Sequence, residues 1–352
     1  EYTHIDSFIR HSIQDYSILS PPRLPKFECL SGQNDNEYLR ELCREGWRKK
    51  LIPSGKIDKE DDKKVYLDRI NRELEAIKEN NLSSYFLIVA DFIRFVYSKG
   101  WRCSPGRGSV GGCLIAYLTN IITIDPIEYG LIYQRFFNDA RKGSMPDIDT
   151  DVPVEHREMI TTYIRNKYGK DKVGHLATFG EMKGATAIKE VLRINDACSF
   201  EQMNEITKQV PEISKVADEM ENTGEDSILL FTLKYRPEKL NDWARYNKET
   251  EEIEGDMSEW FKQAIKLEGT IQSTGKHASA LIVFEEALFN VCPMIHDKSG
   301  DEPMVGYDMK GAEKIGCIKF DVLGLQNLDK CLEVNNILKE RKSFYHKLAN
   351  QT

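Results

Sequence analysis

Ser144-Met145-Pro146-Asp147-Ile148-Asp149-Thr150-Asp151-Val152 is the stretch whose reading decides the fold. In a strand, successive side chains alternate between faces. Asp147, Asp149 and Asp151 then share one face, and Ile148, Thr150 and Val152 the other. Three carboxylates side by side repel one another unless cations lie between them, and hard divalent ions such as Mg²⁺ take oxygen ligands. Two such ions about 3.5–4 Å apart activate an attacking oxygen and stabilise a leaving one in phosphoryl transfer. Taken alone, the run reads equally well as a solvated acidic strand edge or a turn capped by Asp side chains. A calcium loop of the EF-hand kind fits less well. Glu158 suits its twelfth position, but Val152 stands where Gly is needed and Pro153 disfavours the loop.

A second acidic site lies far downstream, in Ile318-Lys319-Phe320-Asp321-Val322-Leu323-Gly324-Leu325. The same period puts Lys319 and Asp321 on one face and Ile318, Phe320 and Val322 toward a core. An Asp among apolar strand residues is costly to bury without a partner, and a lone case is more often at the surface. With another acidic strand in the same sheet, a shared metal site explains both better. Upstream, Ser104-Pro105-Gly106-Arg107-Gly108-Ser109 leads into a helix, where glycines and unpaired N–H groups suit a phosphate. The loop lacks the Gly-Lys-Ser/Thr ending of a Walker A motif, and no suitable strand precedes it for a dinucleotide fingerprint. Arg107, Arg135 and Lys319 add cations for a triphosphate, although each singly reads as an ordinary surface ion-pair partner.

Around these motifs the chain alternates helix and strand patterns. Helices are expected over Asn36–Lys50, Asp61–Asn80 and Ser83–Lys99, from the loop through Leu118, from Asp125-Pro126 to Phe137, from Pro153 to Tyr168 and over Glu181–Ile194. Strands are expected over Met145–Val152, Val173–Phe179, Ala280–Phe284, Met304–Tyr307 and Gly316–Val322. Between the two groups of strands, Asp196 to Lys266 is charged and helical in pattern. This implies one discontinuous domain interrupted by a helical insertion.

Composition bounds the answer loosely. The 352 residues suffice for two or three modest domains. The net charge of −8 argues mildly against a nucleic-acid binder, but local basicity in a groove outweighs the total. The eight cysteines are scattered without a Cys-x-x-Cys pair, which fits reduced thiols in a cytoplasm. No secretory signal or membrane-spanning run is visible, and the missing initiator Met suggests a fragment or a processed product.

The order of motifs resembles bacterial DNA polymerase III alpha subunits, the family C replicative polymerases. The resemblance is carried by Tyr85-Phe86-Leu87-Ile88-Val89, Pro105-Gly106-Arg107-Gly108-Ser109, Arg135-Phe136, Pro146 to Asp151, Thr178-Phe179-Gly180, Gly275-Lys276-His277-Ala278 and Lys319 to Leu325. It implies an α+β fold: a polymerase beta-like nucleotidyltransferase palm, a mixed sheet with flanking helices, carrying an inserted helical thumb. The expected division is a linker or extension over 1–35, palm over 36–178, thumb over 179–276, palm again over 277–325 and the start of the fingers over 326–352.

By the same resemblance Asp147, Asp149 and Asp321 are catalytic metal ligands for two Mg²⁺ ions, with Mn²⁺ as an alternative, and Asp151 supports them. Arg107, Gly108, Ser109, Arg135 and Lys319 bind the incoming nucleotide, and Lys183, Lys276 and His277 contact DNA. The implied function is DNA-directed DNA synthesis on a primer-template from dNTPs, in a bacterial cytoplasm or a bacterial host. A non-catalytic DNA-binding or assembly subunit that kept the palm scaffold is the competing class, and a template-independent nucleotidyltransferase a third. Family members usually have small residues and a Ser where Val110, Gly111, Gly112 and Cys113 stand, and an aromatic where Val152 stands. These departures suggest a divergent, phage or mobile-element version. The PHP domain, most of the fingers and the C-terminal partner-binding domains are expected to come from a missing segment or another chain, with a sliding clamp reached through it.

Overall fold

A computed structural model describes residues 19–29, 32–137, 146–296 and 303–349, with side chains as far as residue 341. The chain divides into two compact units, one of residues 1–177 and 276–352 and the other Thr178–Gly275.

The first unit begins with three helices. Helix α1, Asp35–Gly46, starts at a reciprocal cap. The Asn34 side chain accepts from Glu37 N–H, and the Glu37 carboxylate accepts from Asn34 N–H. A π-helical turn, Trp47–Leu51, and a short helical end, Ile52–Ser54, extend it. Helix α2 spans Glu60–Glu79 and helix α3 spans Ser83–Ser98. Apolar residues occupy most of α3, and eleven of its residues are buried, as expected for a helix packed on several sides. The short helix α4, Leu114–Leu118, and helix α5, Arg157–Tyr168, complete the layer.

The sheet has six strands: β1 Asp149–Val152, β2 Val173–Glu181, β5 Ile271–Val283, β6 Met294–His296, β7 Pro303–Val305 and β8 Ile318–Gly324. Their spatial order is β1-β8-β5-β2-β7-β6. Strand β1 runs parallel to β8, and β5 runs antiparallel to β8, so the sheet is mixed. Helix α11, Met309–Lys314, precedes β8 and helix α12, Gln326–Ala349, follows it. Tyr85, Phe86, Phe92, Ile148, Val152, Phe320 and Val322 belong to one buried cluster joining helices to sheet.

The second unit contains helices α6 Gly184–Ile194, α7 Phe200–Gln209, α8 Ile213–Thr223, α9 Ile228–Tyr235 and α10 Ser258–Leu267. Its own core includes Ile206, Phe231 and Phe261. It also contains a two-stranded hairpin, β3 Arg245–Asn247 with β4 Glu252–Glu254, which the helical pattern of the sequence hid.

Several expectations need correction. Asp125-Pro126 does not open a helix to Phe137. Asp125 caps one turn, accepting from Ile127 N–H at 3.0 Å, and Gly130 then turns the chain at φ 63°. Among the described residues up to Phe137, a 3₁₀ turn, Tyr133–Arg135, follows. The helix after the glycine loop is interrupted, a 3₁₀ turn Gly108–Gly112 giving way to α4 at Cys113. Strand β1 begins only at Asp149, and Met145 lies outside the described residues. Strand β5 is far longer than Ala280–Phe284; its first half is mostly polar and unburied, which left no apolar period to read. Among the described residues no helix is long and apolar enough to cross a membrane.

Candidate metal centre

The parallel pairing of β1 with β8 sets Asp149 directly opposite Asp321. Asp147 sits two residues before Asp149, on the lead into β1. One carboxylate oxygen from each of Asp147, Asp149 and Asp321 lies within 4.8 Å of the other two. Burial is graded: Asp147 is exposed, Asp149 half-buried, and Asp321 only 8% exposed.

Two cations lie against this cluster. Lys319 Nζ is 2.8 Å from Asp321 Oδ2 and 3.2 Å from Asp147 Oδ2, bridging β8 to the lead into β1. Burial pulls the Lys319 pKa down, but bonding to Asp321 and Asp147 outweighs it and the net shift is upward. Arg107 donates to Asp151 Oδ1 at 2.9 Å, and its Nε lies 3.9 Å from Asp149 Oδ2. The Asp151 bond leads the forces that raise the Arg107 pKa. Four carboxylates against two cations leave two negative charges in excess. Burial raises the Asp149 pKa and repulsion from Asp147 adds to it, while Arg107 works the other way. Clustered oxygens with surplus negative charge are the donor set that hard divalent ions take, so the residues fit such a metal.

The glycine turn closes on the same carboxylates. Gly108 has φ 69°, and a Cβ added there would sit 3.0 Å from Asp149 Oδ2. Ser104 N–H donates to Asp151 O at 3.1 Å, tying the loop to β1. Behind the turn, buried Glu73 of α2 pairs with Arg69 and accepts from Ile115 N–H at 3.0 Å, and Arg69 donates to Gly112 O at 2.7 Å. On β5, Ser279 Oγ donates to Asp321 Oδ1 at 3.4 Å. His277 Nδ1 accepts from Ser279 and Ala280 N–H at 3.2 and 3.0 Å, which puts the proton of the neutral ring on Nε2.

The structure therefore brings together Asp147, Asp149, Asp321, Arg107, Gly108 and Lys319. Ser109, half-buried, is the second residue of the 3₁₀ turn. Arg135 is exposed at the end of its own 3₁₀ turn, and among the described residues no ion pair joins it to the carboxylates. Lys276 and His277 lie on β5 ahead of Ser279. Lys183 lies in the second unit, exposed at the N-cap of α6. The sequence reading passed over Glu73, Arg69 and Ser279. The Arg69–Glu73 spacing of four was the one available signal, and it marks many surface pairs equally well.

Comparison with known proteins agrees with the motif order. The family described as "Bacterial DNA polymerase III alpha NTPase domain" matches residues 37–324. The chain is 33% identical over 323 residues to DNA polymerase III subunit alpha of Aquifex aeolicus (strain VF5), covering 90% of this chain and 27% of that protein. Identity is also 33% to the subunits of the same name from Pseudomonas aeruginosa, over 87% of this chain and 24% of that one, and Campylobacter jejuni, over 97% and 26%. The chain thus spans about a quarter of the length of these relatives. Since the family match runs from α1 to the last residue of β8 and so encloses both carboxylate segments, the chain belongs to the bacterial DNA polymerase III alpha family.

Proposed function

We propose that this chain carries the catalytic palm of a DNA-directed DNA polymerase, a polymerase beta-like nucleotidyltransferase fold with Thr178–Gly275 as its thumb. The reading rests on one observation: carboxylates from two distant segments converge across the β1–β8 pair, beside a glycine turn. Asp147, Asp149 and Asp321 would hold divalent ions, Mg²⁺ or Mn²⁺, which supply activation of a primer 3′-hydroxyl and charge neutralisation on the leaving pyrophosphate.

The chain's own residues do the positioning. The backbone amides of Gly108 and Ser109 offer donors to the triphosphate, and the missing Cβ at Gly108 leaves room against Asp149. Lys319 keeps Asp147 and Asp321 in register and offsets charge that develops on the phosphate. Arg107 holds Asp151 and stands near Asp149, and Arg135 adds a cation to the nucleotide side. Lys183, Lys276 and His277 contact the DNA, with Nε2 of His277 as donor. Primer-template DNA and dNTPs are the substrates, in the cytoplasm of a bacterium or of a bacterial host. Fingers and a route to a sliding clamp come from the part of the relatives' length outside this chain.

One observation favours the second reading, a non-catalytic scaffold: Lys319 and Arg107 already satisfy much of the carboxylate charge. The remaining excess and the repulsion between Asp149 and its neighbour Asp147 weigh against it. Primer extension by the full-length protein separates the two. Asp149→Ala and Asp321→Ala are each expected to lower the rate by about 10²- to 10³-fold, as loss of preorganised charge stabilisation does. Equal extension by wild type and both variants would sink the polymerase reading.

A further inference from the structure

One buried side chain touches both segments that carry the carboxylates without touching the carboxylates themselves. Tyr85 lies in the first turn of α3 and is 1% exposed. Its hydroxyl accepts from Ile148 N–H at 3.1 Å, and Ile148 is the residue between Asp147 and Asp149. Its ring packs on Phe320 with centroids 5.1 Å apart, and Phe320 is the residue between Lys319 and Asp321.

The need for such a group follows from the strand boundaries. The β1–β8 ladder starts at Asp149, so Ile148, itself 1% exposed, precedes the regular pairing. A buried amide without an acceptor costs free energy, and here a side chain from another element supplies the acceptor. The Asp147–Asp149 spacing is thus set by a contact outside the sheet, at the point where the ladder no longer fixes the backbone. On the other strand, the tilted Tyr85–Phe320 contact sits on the opposite face from Lys319 and Asp321 and resists rotation of β8 about its axis.

We propose that Tyr85 is a positioning residue for the metal centre, its hydroxyl fixing the backbone between Asp147 and Asp149 while its ring fixes the strand that carries Asp321. The proposal rests on the reading of these carboxylates as metal ligands. It assigns Tyr85 no contact with substrate. Its effect passes through the distance between ligands supplied by two strands, which a divalent ion senses more sharply than the fold does.

The test is Mn²⁺ affinity of the full-length protein, read by electron paramagnetic resonance as free ion lost on titration. Four proteins are compared: wild type, Tyr85→Phe, Asp149→Ala and Tyr163→Phe. Tyr85→Phe keeps the ring and removes the acceptor. Tyr163→Phe removes a comparable hydroxyl contact, 2.9 Å to Asp91 of the same helix α3, away from the carboxylates. The expected result is tight binding by wild type and Tyr163→Phe, loss in Asp149→Ala, and about tenfold weaker binding in Tyr85→Phe, the size of one lost buried hydrogen bond. Wild-type affinity in Tyr85→Phe, with binding lost in Asp149→Ala, overturns the Tyr85 proposal and leaves the metal centre standing. Equal weakening in Tyr163→Phe also overturns it, since the effect is then general. No binding by wild type overturns the metal centre and the proposal together.

Discussion

Burial raises the pKa of Asp149 and the neighbouring Asp147 adds to the rise, so the ionised carboxylate sits in the folded protein at a cost. A carboxylate whose folded pKa is raised contributes stability below its ordinary range and loses it as pH rises through the folded value. At neutral pH and without divalent ions, Asp149→Asn is therefore expected to raise the melting temperature. The gain should shrink as pH falls into the ordinary Asp range, where the wild-type carboxyl is neutral as well. Adding Mg²⁺ should close the gap by stabilising wild type alone. Thermal melts across pH, with and without the ion, check this, and a variant less stable than wild type at neutral pH would contradict it. At this scale the sequence was informative about charge and silent about support. The alternation of Asp147, Asp149 and Asp151 is visible in any strand reading. That Tyr85, Ser279 and Glu73 serve the same place depends on tertiary neighbours many residues away.

At the scale of elements, the glycine turn owes its shape to the helix behind it. Glu73 is fully buried on α2, and its two oxygens serve Arg69, Cys113 Sγ and Ile115 N–H. Arg69 in turn donates to Gly112 O. Removing one member of a buried ion pair leaves an uncompensated charge, so Glu73→Gln is expected to cost about 3 kcal/mol. Urea denaturation measures this, and a loss below about 1 kcal/mol would place the pair among ordinary surface contacts. Helices α2 and α6 could be read from the sequence because their apolar stripes repeat at helical spacing, and α3 because it is apolar over a helix's length. The Asp125 segment misled for a physical reason. Its cap signal was genuine, but the same carboxylate also takes Lys56 and Tyr66, each at 2.8 Å, and Gly130 ends the turn. Strand β5 was under-read because its first nine residues, none of them buried, carry no apolar alternation.

For the whole molecule, one discontinuous sheet interrupted by a separately cored insertion is what the returning strand pattern implied. The hairpin within the insertion and the edge strand β6 escaped notice because each strand is three residues long, too short for a period. The sheet matters to function because it joins residues near the middle of the chain to residues near its end, setting Asp149 against Asp321. A single experiment addresses that convergence most directly: anomalous diffraction from crystals of the full-length protein soaked in Mn²⁺ and a nucleoside triphosphate. The account predicts a manganese peak bounded by Asp147, Asp149 and Asp321 together, with the triphosphate against Gly108 and Ser109. Manganese found only elsewhere, with Lys319 still bridging Asp147 and Asp321 in an ion-free cluster, would contradict it.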